Sequence, residues 1–328
     1  MKVTVQTYAN IPLIKYWGKR DEQRFLPTKS SLAVTLSALT SQTTIQRISD
    51  SIDHISTSWT QQTQESSTKI IQFINRLRKQ FNINDRFAIT TNNNFPTAAG
   101  FASSSSGFAA LAAAFAHLCN LGLAERELSI LARQGSGSAS RSLSGGFVLW
   151  HKGIEPDGSD SYAEQIFDEH HWPELRILVV VIQSAAKPIS SREGMRITVA
   201  TSPSYQHWLI ASAERLKAIL PAIAEKNIEL VGALAEDDWY DMHRSMLDST
   251  PSLRYWDQTS YAVIDQVKRM RADGLNCFFT TDAGPNVKIF CLEHEAPIIE
   301  QRIKTEIGVQ QVITCTVAGK PIISIKEQ

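Results

Sequence analysis

The stretch PTAAGFASSSSGFAAL, residues 96–111, follows a strand-like segment at residues 86–91 and leads into an alanine-rich helix predicted for residues 104–121. Its small side chains let backbone N–H groups approach an anion closely, and the first helical turn has unpaired N–H groups at the positive end of the helix dipole. Serines at residues 103–106 add hydroxyl donors. We therefore predict a phosphate-binding loop, with a serine N-cap on a tightly packed helix as the simpler alternative. The loop has neither the GxGxxG nor the GxxxxGK[ST] spacing, which argues against the folds that carry those motifs.

A second segment of small residues, RQGSGSASRSLSGG at residues 133–146, favours the phosphate interpretation. Serine and glycine at this density make a weak helix and a poor core, but they offer hydroxyl and amide donors to a charged ligand. Arg141 adds a planar guanidinium that suits a carboxylate or a phosphate. A flexible linker with one surface arginine is the alternative, and the strand-like GGFVLW at residues 145–150 argues against it.

The composition excludes several broad classes of protein. Of the 328 residues 43% are hydrophobic, which is enough for a buried core and argues against disorder. The 33 basic and 33 acidic residues cancel, so no general attraction to nucleic acid or to an anionic membrane is expected. The four cysteines form no CxxC pair, the histidines show no zinc-binding spacing, and neither a signal peptide nor a membrane span is visible. A cytoplasmic globular protein is therefore expected.

The order of predicted elements changes near residues 183–190. Before this point, strands are predicted at residues 3–8, 32–36, 43–48, 86–91 and 176–182, and helices at residues 69–81, 104–121 and 125–134. After it come helices at residues 203–220, 221–235, 236–247 and 258–272, and then a β–turn–β–α–β pattern over residues 277–317 with its helix at residues 296–307. The pattern predicts an α+β chain with a second α+β layer beyond that boundary.

Four motifs carry a resemblance to a known family. KYWGKRD (residues 15–21), NNFPTAAG (93–100), GSGSASRS (135–142) and DAGPN (282–286) occur in this order, and further similarity runs through residues 172–203. Together they resemble the mevalonate diphosphate decarboxylases of the GHMP kinase superfamily over nearly the whole chain. The serine-rich loop alone indicates only the superfamily.

The resemblance implies a GHMP-kinase-like two-domain α+β fold with the active site in the cleft between the domains. An N-terminal GHMP ATP-binding domain, ribosomal-protein-S5-domain-2-like, would span residues 1–185, and a C-terminal GHMP domain with a ferredoxin-like α/β arrangement would span residues 186–328. The implied activity converts mevalonate 5-diphosphate to isopentenyl diphosphate, requires ATP and Mg²⁺, and releases ADP, phosphate and CO₂. The implied assembly is a homodimer, with no nucleic acid or membrane partner.

The resemblance also assigns roles to individual residues. Asp282 matches the catalytic aspartate, Lys15 matches the lysine beside it, and Arg141 matches the arginine that holds the substrate carboxylate. The other residues expected to bind the substrate are Tyr16, Lys19, Lys69, Ser136, Ser138, Ser191 and Arg192. Those expected to bind ATP are Ala98, Ala99, Gly100, Ser103, Ser104 and Ser105. Mg²⁺ is expected to be held through the ATP phosphates, with Ser104 as the candidate protein ligand.

Two further hypotheses stay open on the sequence. A phosphomevalonate decarboxylase or a mevalonate 3-kinase would use the same fold; the presence of both Asp282 and Lys15 argues against a kinase alone, and the number of diphosphate donors argues against a monophosphate substrate. The other hypothesis is a non-catalytic ligand sensor with the GHMP fold, and an intact Asp282 argues against it.

Overall fold

The structure is a computed structural model that describes residues 1–57, 64–95, 103–182 and 189–327. The strands in these ranges are β1 (Lys2–Ile14), β2 (Lys19–Asp21), β3 (Leu26–Pro27), β4 (Ser31–Ile48), β5 (His54–Thr57), β6 (Arg86–Asn93), β7 (Phe147–Trp150), β8 (Ala163–Phe167), β9 (Leu175–Val181), β10 (Phe278–Thr280), β11 (Val287–Leu292), β12 (Gln311–Cys315) and β13 (Ile322–Lys326). The helices are α1 (Gln64–Phe81), α2 (Ser103–Leu118), α3 (Glu125–Arg133), α4 (Ser191–Thr201), α5 (Tyr205–Ala224), α6 (Ile228–Leu247), α7 (Gln258–Ala272) and α8 (Ala296–Ile307), and a 3-10 helix spans Gly137–Ser142.

The first sheet has seven strands in the order β13–β1–β4–β6–β5, with β7 paired to β4 and β8 paired to β7. Two separate strands were expected at residues 32–36 and 43–48, but β4 is continuous over 18 residues. The polar residues between the two expected strands are kept extended by ladder pairing on both sides, because Ser41 lies opposite Thr7 of β1 and Asn93 of β6. Backbone pairing therefore overrides the weak local pattern.

Helices α1 and α2 cover one face of this sheet. Val3 and Val5 of β1 share a buried cluster with Phe73 and Leu77 of α1 and with the alanine-rich α2. Alanine side chains let α2 lie close to the sheet, and the Ser106 Oγ in its first turns lies 2.7 Å from the Ser41 Oγ of β4. The helix ends at Leu118, before the predicted residue 121, and Asn120 adopts a left-handed conformation with φ 50°.

The second sheet is antiparallel in the order β10–β11–β9–β12. Along the chain it reads β9, helices α4–α7, the β10–β11 pair, α8 and β12, which is the ferredoxin-like βαββαβ order with extra helices in its first connection. The boundary expected at residues 185/186 divides this unit, because it leaves the central strand β9 in the N-terminal part. The last strand, β13, returns to the first sheet and pairs with β1.

The helices between β9 and β10 also differ from the prediction. Helix α4 was not expected, and the three helices predicted over residues 203–247 are two longer ones. Pro221 lies in the last turn of α5 rather than at a helix start. The true break lies at residues 225–227, where Asn227 caps α6 by accepting a hydrogen bond from the Leu230 N–H. Among the described residues, no helix combines the length and the apolar character needed to cross a bilayer.

The two sheets share one core. Ile11 and Val34 of the first sheet lie in the same buried cluster as Ile177 of β9 and Val231 of α6. This shared cluster fixes the end of β1 against α6 and the β10–β11 turn, and the candidate site lies at that junction.

Candidate active site

Lys15 and Asp282 form the centre of the site. Lys15 directly follows β1, and its Nζ donates a hydrogen bond to the Thr281 carbonyl oxygen at 2.7 Å and lies 3.5 Å from the Asp282 Oδ1. The Lys15 side chain is 1% exposed, whereas that of Asp282 is 23% exposed. Burial lowers the pKa of Lys15 to about 8, and the Asp282 carboxylate opposes this shift. The pair therefore presents one carboxylate to the cleft with an ammonium group behind it.

The turn that carries Asp282 is fixed on both sides. The Thr281 hydroxyl accepts a hydrogen bond from the Trp239 Nε1 at 2.7 Å and lies 3.4 Å from the His243 Nε2. The Asn286 Oδ1 accepts a hydrogen bond from the Ile182 N–H at 2.6 Å. Burial lowers the pKa of His243 to about 3, so this imidazole is neutral and helps to position the turn.

Arg141 is buried in the 3-10 helix and faces the same centre. Its Nε donates to the Asn10 Oδ1 at 3.1 Å, and one terminal nitrogen donates to the Ser31 Oγ at 2.5 Å. Both acceptors, the Asn10 amide oxygen and the Ser31 hydroxyl, are uncharged, so neither neutralises the guanidinium charge. Burial lowers the pKa of Arg141 to about 10, and the Asp282 carboxylate is the largest influence that opposes this shift. Arg141 is thus a buried cation that interacts electrostatically with Asp282, and an anionic ligand would balance its charge.

Tyr16, Lys19 and Arg192 extend from this centre toward the surface. The Tyr16 hydroxyl is buried and has no hydrogen-bond partner in the described structure. Burial raises the pKa of Tyr16, while Arg141 and Arg192 both oppose that shift, which places the hydroxyl within charge range of both cations. Burial lowers the pKa of Lys19, Glu22 opposes this, and Arg192 adds to it. These three predicted residues therefore share one region with Arg141.

The predicted serines link this region to helix α2. The Ser104 Oγ lies 3.5 Å from the Ser136 Oγ, which lies 3.4 Å from the Ser138 Oγ. Ser105 is buried, and Ser103 begins α2. The predicted ATP contacts Ala98, Ala99 and Gly100 fall outside the described residues.

Two predicted substrate contacts lie on helices that border the region. Lys69 is half-buried on α1, and Ser191 begins α4 next to Arg192. Their contacts with substrate phosphates stay predictions. Among the described residues, no cluster of three His, Cys, Asp or Glu side chains is arranged to hold a metal ion. The exposed Ser104 hydroxyl at the start of α2 is placed to meet a nucleotide phosphate, and a cation would come with that phosphate.

Sequence reasoning missed two buried residues that hold the Lys15 backbone. The Asp238 Oδ2 accepts a hydrogen bond from the Lys15 N–H at 2.6 Å, and the Lys29 Nζ donates to the Lys15 carbonyl oxygen at 2.6 Å. Asp238 also accepts from the Trp208 Nε1 at 3.2 Å. Asp238 lies in α6, which was predicted only as a helix, and its local sequence does not mark it as a buried partner of Lys15.

Both halves of the chain match models of one family. Residues 7–163 match the diphosphomevalonate decarboxylase-like N-terminal domain, and residues 177–328 match the mevalonate 5-diphosphate decarboxylase C-terminal domain. The second match begins inside β9, in agreement with the sheet topology. The chain is 38% identical to diphosphomevalonate decarboxylase mvd1 of Aspergillus fumigatus over 326 residues, covering 94% of this chain and 81% of that protein.

Solved structures give the same result. A crystal structure of mevalonate diphosphate decarboxylase from Staphylococcus aureus is 36% identical, with a TM-score of 0.93 and coverage of 99% of this chain and 98% of that chain. A structure of MDDEF in complex with MVAPP, AMPPCP and magnesium is 35% identical, with a TM-score of 0.93 and 99% coverage of both chains. The expected two-domain α+β fold is confirmed, and the chain belongs to the diphosphomevalonate decarboxylase family.

Proposed function

We propose that this chain catalyses the ATP- and Mg²⁺-dependent decarboxylation of mevalonate 5-diphosphate. The 3-hydroxyl is phosphorylated, and isopentenyl diphosphate, ADP, phosphate and CO₂ are released. The observation that carries the proposal is the pairing of Lys15 with a partly exposed Asp282, within charge range of the buried Arg141 guanidinium. A hydroxyl and a neighbouring carboxylate of one small substrate can thus be held together, which supplies the orientation that the reaction needs.

Asp282 would orient the tertiary hydroxyl and accept its proton during phosphoryl transfer. Lys15 lies 3.5 Å from this carboxylate and places positive charge where negative charge develops. Its pKa of about 8 leaves the ammonium form dominant at neutral pH. The hydrogen bond from the Lys15 Nζ to the Thr281 carbonyl oxygen fixes the Lys15 side chain next to Asp282.

Arg141 would hold the substrate carboxylate. When the phosphorylated C3–O bond breaks, positive charge develops at C3, and the electron pair of the C1–C2 bond forms the new double bond as CO₂ leaves. The carboxylate must stay aligned with the breaking bond, and a planar guanidinium fixed by Asn10 and Ser31 provides that alignment. Ser138 and Ser136 are proposed to donate hydrogen bonds to the same substrate.

The diphosphate would occupy the region of Tyr16, Lys19 and Arg192, with Lys69 and Ser191 at its border. The buried Tyr16 hydroxyl has no hydrogen-bond partner among the described residues, which supports this placement because a phosphate oxygen would accept its hydrogen bond. The positive charges of Lys19 and Arg192 match the charge of a diphosphate.

The nucleotide would bind at the N-terminus of α2. Ser103, Ser104 and Ser105 lie there, and Ser104 approaches Ser136 of the substrate region, so the two ligands would meet at this serine pair. Bound Mg²⁺ supplies charge neutralisation for the phosphates, and Ser104 is its proposed protein contact. Ala98, Ala99 and Gly100 are proposed to offer backbone N–H groups to the phosphates.

We further propose that the enzyme works in the cytoplasm as a homodimer. The cysteines among the described residues are all free thiols, which suits a reducing compartment. Analytical ultracentrifugation of the purified chain tests the assembly, and a monomer at micromolar concentration would contradict it.

An assay with two substrates tests the activity. Purified protein is incubated with ATP, Mg²⁺ and mevalonate labelled at C1 that carries either a 5-diphosphate or a 5-monophosphate. We expect labelled CO₂ and ADP in equal amounts from the diphosphate. Labelled CO₂ from the monophosphate alone would assign a phosphomevalonate decarboxylase, and ADP without CO₂ would assign a kinase. The absence of both products would support a ligand sensor.

A further inference from the structure

Phe25 occupies a backbone position that does not favour its side chain. It ends the turn between β2 and β3, and its φ of 55° lies in the left-handed region where glycine or asparagine is usual. The turn is otherwise regular, since the Asp21 Oδ1 accepts a hydrogen bond from the Arg24 N–H at 2.7 Å. A phenylalanine at such a position indicates that the ring itself is needed.

Three cations surround the ring of Phe25. The centroid lies 5.3 Å from the Lys19 Nζ, 5.1 Å from the Arg192 Cζ and 5.8 Å from the Arg76 Cζ. These side chains come from β2, α4 and α1, so one ring gathers cations from three separate elements. Phe25 is 8% exposed, so its ring is held in place by packing. Each distance falls within the range of a cation–π interaction.

The positive charge of this cluster exceeds the negative charge available to it. Lys19 pairs with Glu22, whereas no ion pair of Arg76 or Arg192 occurs within the described residues. Arg76 instead donates to the Gln23 and Gln134 carbonyl oxygens at 3.1 and 3.2 Å, which ties α1 to the turn. Two of the three cations are therefore held without an acidic partner in the described structure, and this excess of positive charge is suited to an anion.

The cluster lies at the far end of the proposed substrate site. Tyr16 and Arg141 contact the same ring, since the Trp150 centroid lies 4.8 Å from the Tyr16 centroid and 5.8 Å from the Arg141 Cζ. Arg192, which contacts the Phe25 ring, also influences the pKa of Tyr16, so Tyr16 connects the carboxylate-holding end with the Phe25 cluster. An anion bound by Tyr16, Lys19 and Arg192 would therefore extend toward Phe25 and Arg76. With a diphosphate ester, the terminal phosphate is the group that reaches this end.

We propose that Phe25 is a positioning residue that gathers Lys19, Arg192 and Arg76 around the terminal phosphate, and that Arg76 is a further phosphate-binding residue. This inference rests on the proposed function. It makes the Phe25 cluster the part of the site that distinguishes a 5-diphosphate from a 5-monophosphate, because a monophosphate ends before it.

Phe25→Leu and Phe25→Tyr test the role of the ring. Leucine keeps the apolar burial and loses the aromatic face, whereas tyrosine keeps both. For Phe25→Leu we expect KM for the 5-diphosphate to rise about tenfold with kcat nearly unchanged, whereas the Kd for the 5-monophosphate, measured by calorimetry, should change much less. Phe25→Tyr should stay close to wild type. Equal KM values for wild type and Phe25→Leu, or equal losses in the leucine and tyrosine variants, would overturn the proposal.

Arg76→Gln tests the added cation without touching the core, since Arg76 is exposed. We expect a rise of roughly fivefold in KM for the 5-diphosphate alone. Arg126→Gln is the matched control, because Arg126 is also an exposed arginine stacked on a ring, 4.4 Å from the Tyr162 centroid, and lies outside the site. Equal effects of the two substitutions would refute the role of Arg76.

Binding of inorganic diphosphate, measured by calorimetry without nucleotide, separates this inference from the proposed activity. The wild-type protein could turn over neither substrate and still bind inorganic diphosphate more tightly than Phe25→Leu and Arg76→Gln. That result would refute the proposed activity and support the role of the Phe25 cluster in phosphate binding. Turnover of the 5-diphosphate with identical diphosphate affinity in all variants would support the activity and refute the cluster.

Discussion

The two ends of the proposed cleft solve opposite electrostatic problems. At the reacting end, Lys15, Lys29 and Asp238 are buried and hold one another through backbone and side-chain contacts. At the phosphate end, the guanidinium groups of Arg76 and Arg192 are exposed, and they lie on an aromatic ring without an acidic partner in the described structure. One end fixes its charges permanently, and the other keeps its charges available for a ligand.

The difference follows from what each end must do. A group that orients a proton transfer has to be in place before the substrate arrives, and burial with compensating charges provides that order. A cation binds a diphosphate most tightly when no existing ion pair has to be broken first. Substitutions at the reacting end should therefore change kcat, and those at the phosphate end should change KM.

Asp282→Asn gives the largest expected effect and tests the first half of this comparison. The amide keeps the shape of the side chain but cannot accept the hydroxyl proton, and it removes the charge that faces Lys15. We expect kcat to fall on the order of 10³-fold. The Kd for mevalonate 5-diphosphate, measured by calorimetry, should change by only a fewfold. A kcat near that of wild type would end the proposed role, and a large loss of affinity would show that the two ends are not separate.

Arg141→Lys is expected to have the next largest effect. A lysine carries the charge, but it cannot contact Asn10 and Ser31 and still offer a planar pair of donors to a carboxylate. We expect kcat to fall on the order of 10²-fold, measured with saturating mevalonate 5-diphosphate.

Arg133→Lys is the matched control for Arg141→Lys. Arg133 is equally buried, and its guanidinium donates to backbone carbonyls, with the Gly158 oxygen at 2.9 Å. We expect this variant to lower Tm while kcat per folded molecule stays near that of wild type. If both variants lost the same factor in kcat, the effect would come from a disturbed core and not from the substrate carboxylate.

Local signals account for the parts of the fold that were predicted best. Helices α7 and α8 begin and end at the predicted residues. Asp257 caps α7 by accepting a hydrogen bond from the Ser260 N–H, and α8 ends at Ile307 because Gly308 follows it with a left-handed φ of 78°. Helix α4 also has an N-cap, since the Ser190 hydroxyl accepts a hydrogen bond from the Glu193 N–H, but its helix propensity is low because it contains Gly194 and β-branched residues. It is held by tertiary packing, since a Cβ at Gly194 would lie 2.1 Å from the Tyr255 hydroxyl oxygen.

Contacts between distant segments account for what the sequence could not predict. Strand β13 is exposed along its length and exists because it pairs with β1 at the other end of the chain. In the candidate site, the sequence motifs predicted Lys15, Arg141 and Asp282. They did not predict Asp238, whose hydrogen bond with the Lys15 N–H joins residues 223 positions apart. No local pattern marks such a partner, because it depends on how α6 docks against the end of β1.

Asp238→Asn is the smallest of the expected effects and asks whether the buried charges tune Lys15 as well as hold it. The groups that influence Lys15 are Asp282, Lys288 and Asp238, and Lys29 and His243 also face it. Burial lowers the pKa of Lys15 to about 8, and the Asp238 carboxylate opposes that shift. Removing this negative charge lowers the pKa further, so the ammonium form is lost at a lower pH. We expect the alkaline limb of the kcat profile to move toward neutral pH, with roughly a tenfold loss of kcat at pH 9 and little change at pH 6.5.

Asp241→Asn separates the charge of Asp238 from the general effect of an altered α6. Asp241 lies on the same helix and pairs with Arg215 at 2.6 Å, and Arg215 also lies 3.7 Å from Asp238. Since Asp241 is not among the groups that shift Lys15, its substitution should leave the alkaline limb in place. A limb that moves equally in both variants would mean that the helix, and not the carboxylate, sets the pKa. If the alkaline limb of the kcat profile stays in place in both variants, Asp238 does not tune the pKa of Lys15. It then only positions the Lys15 backbone through its hydrogen bond.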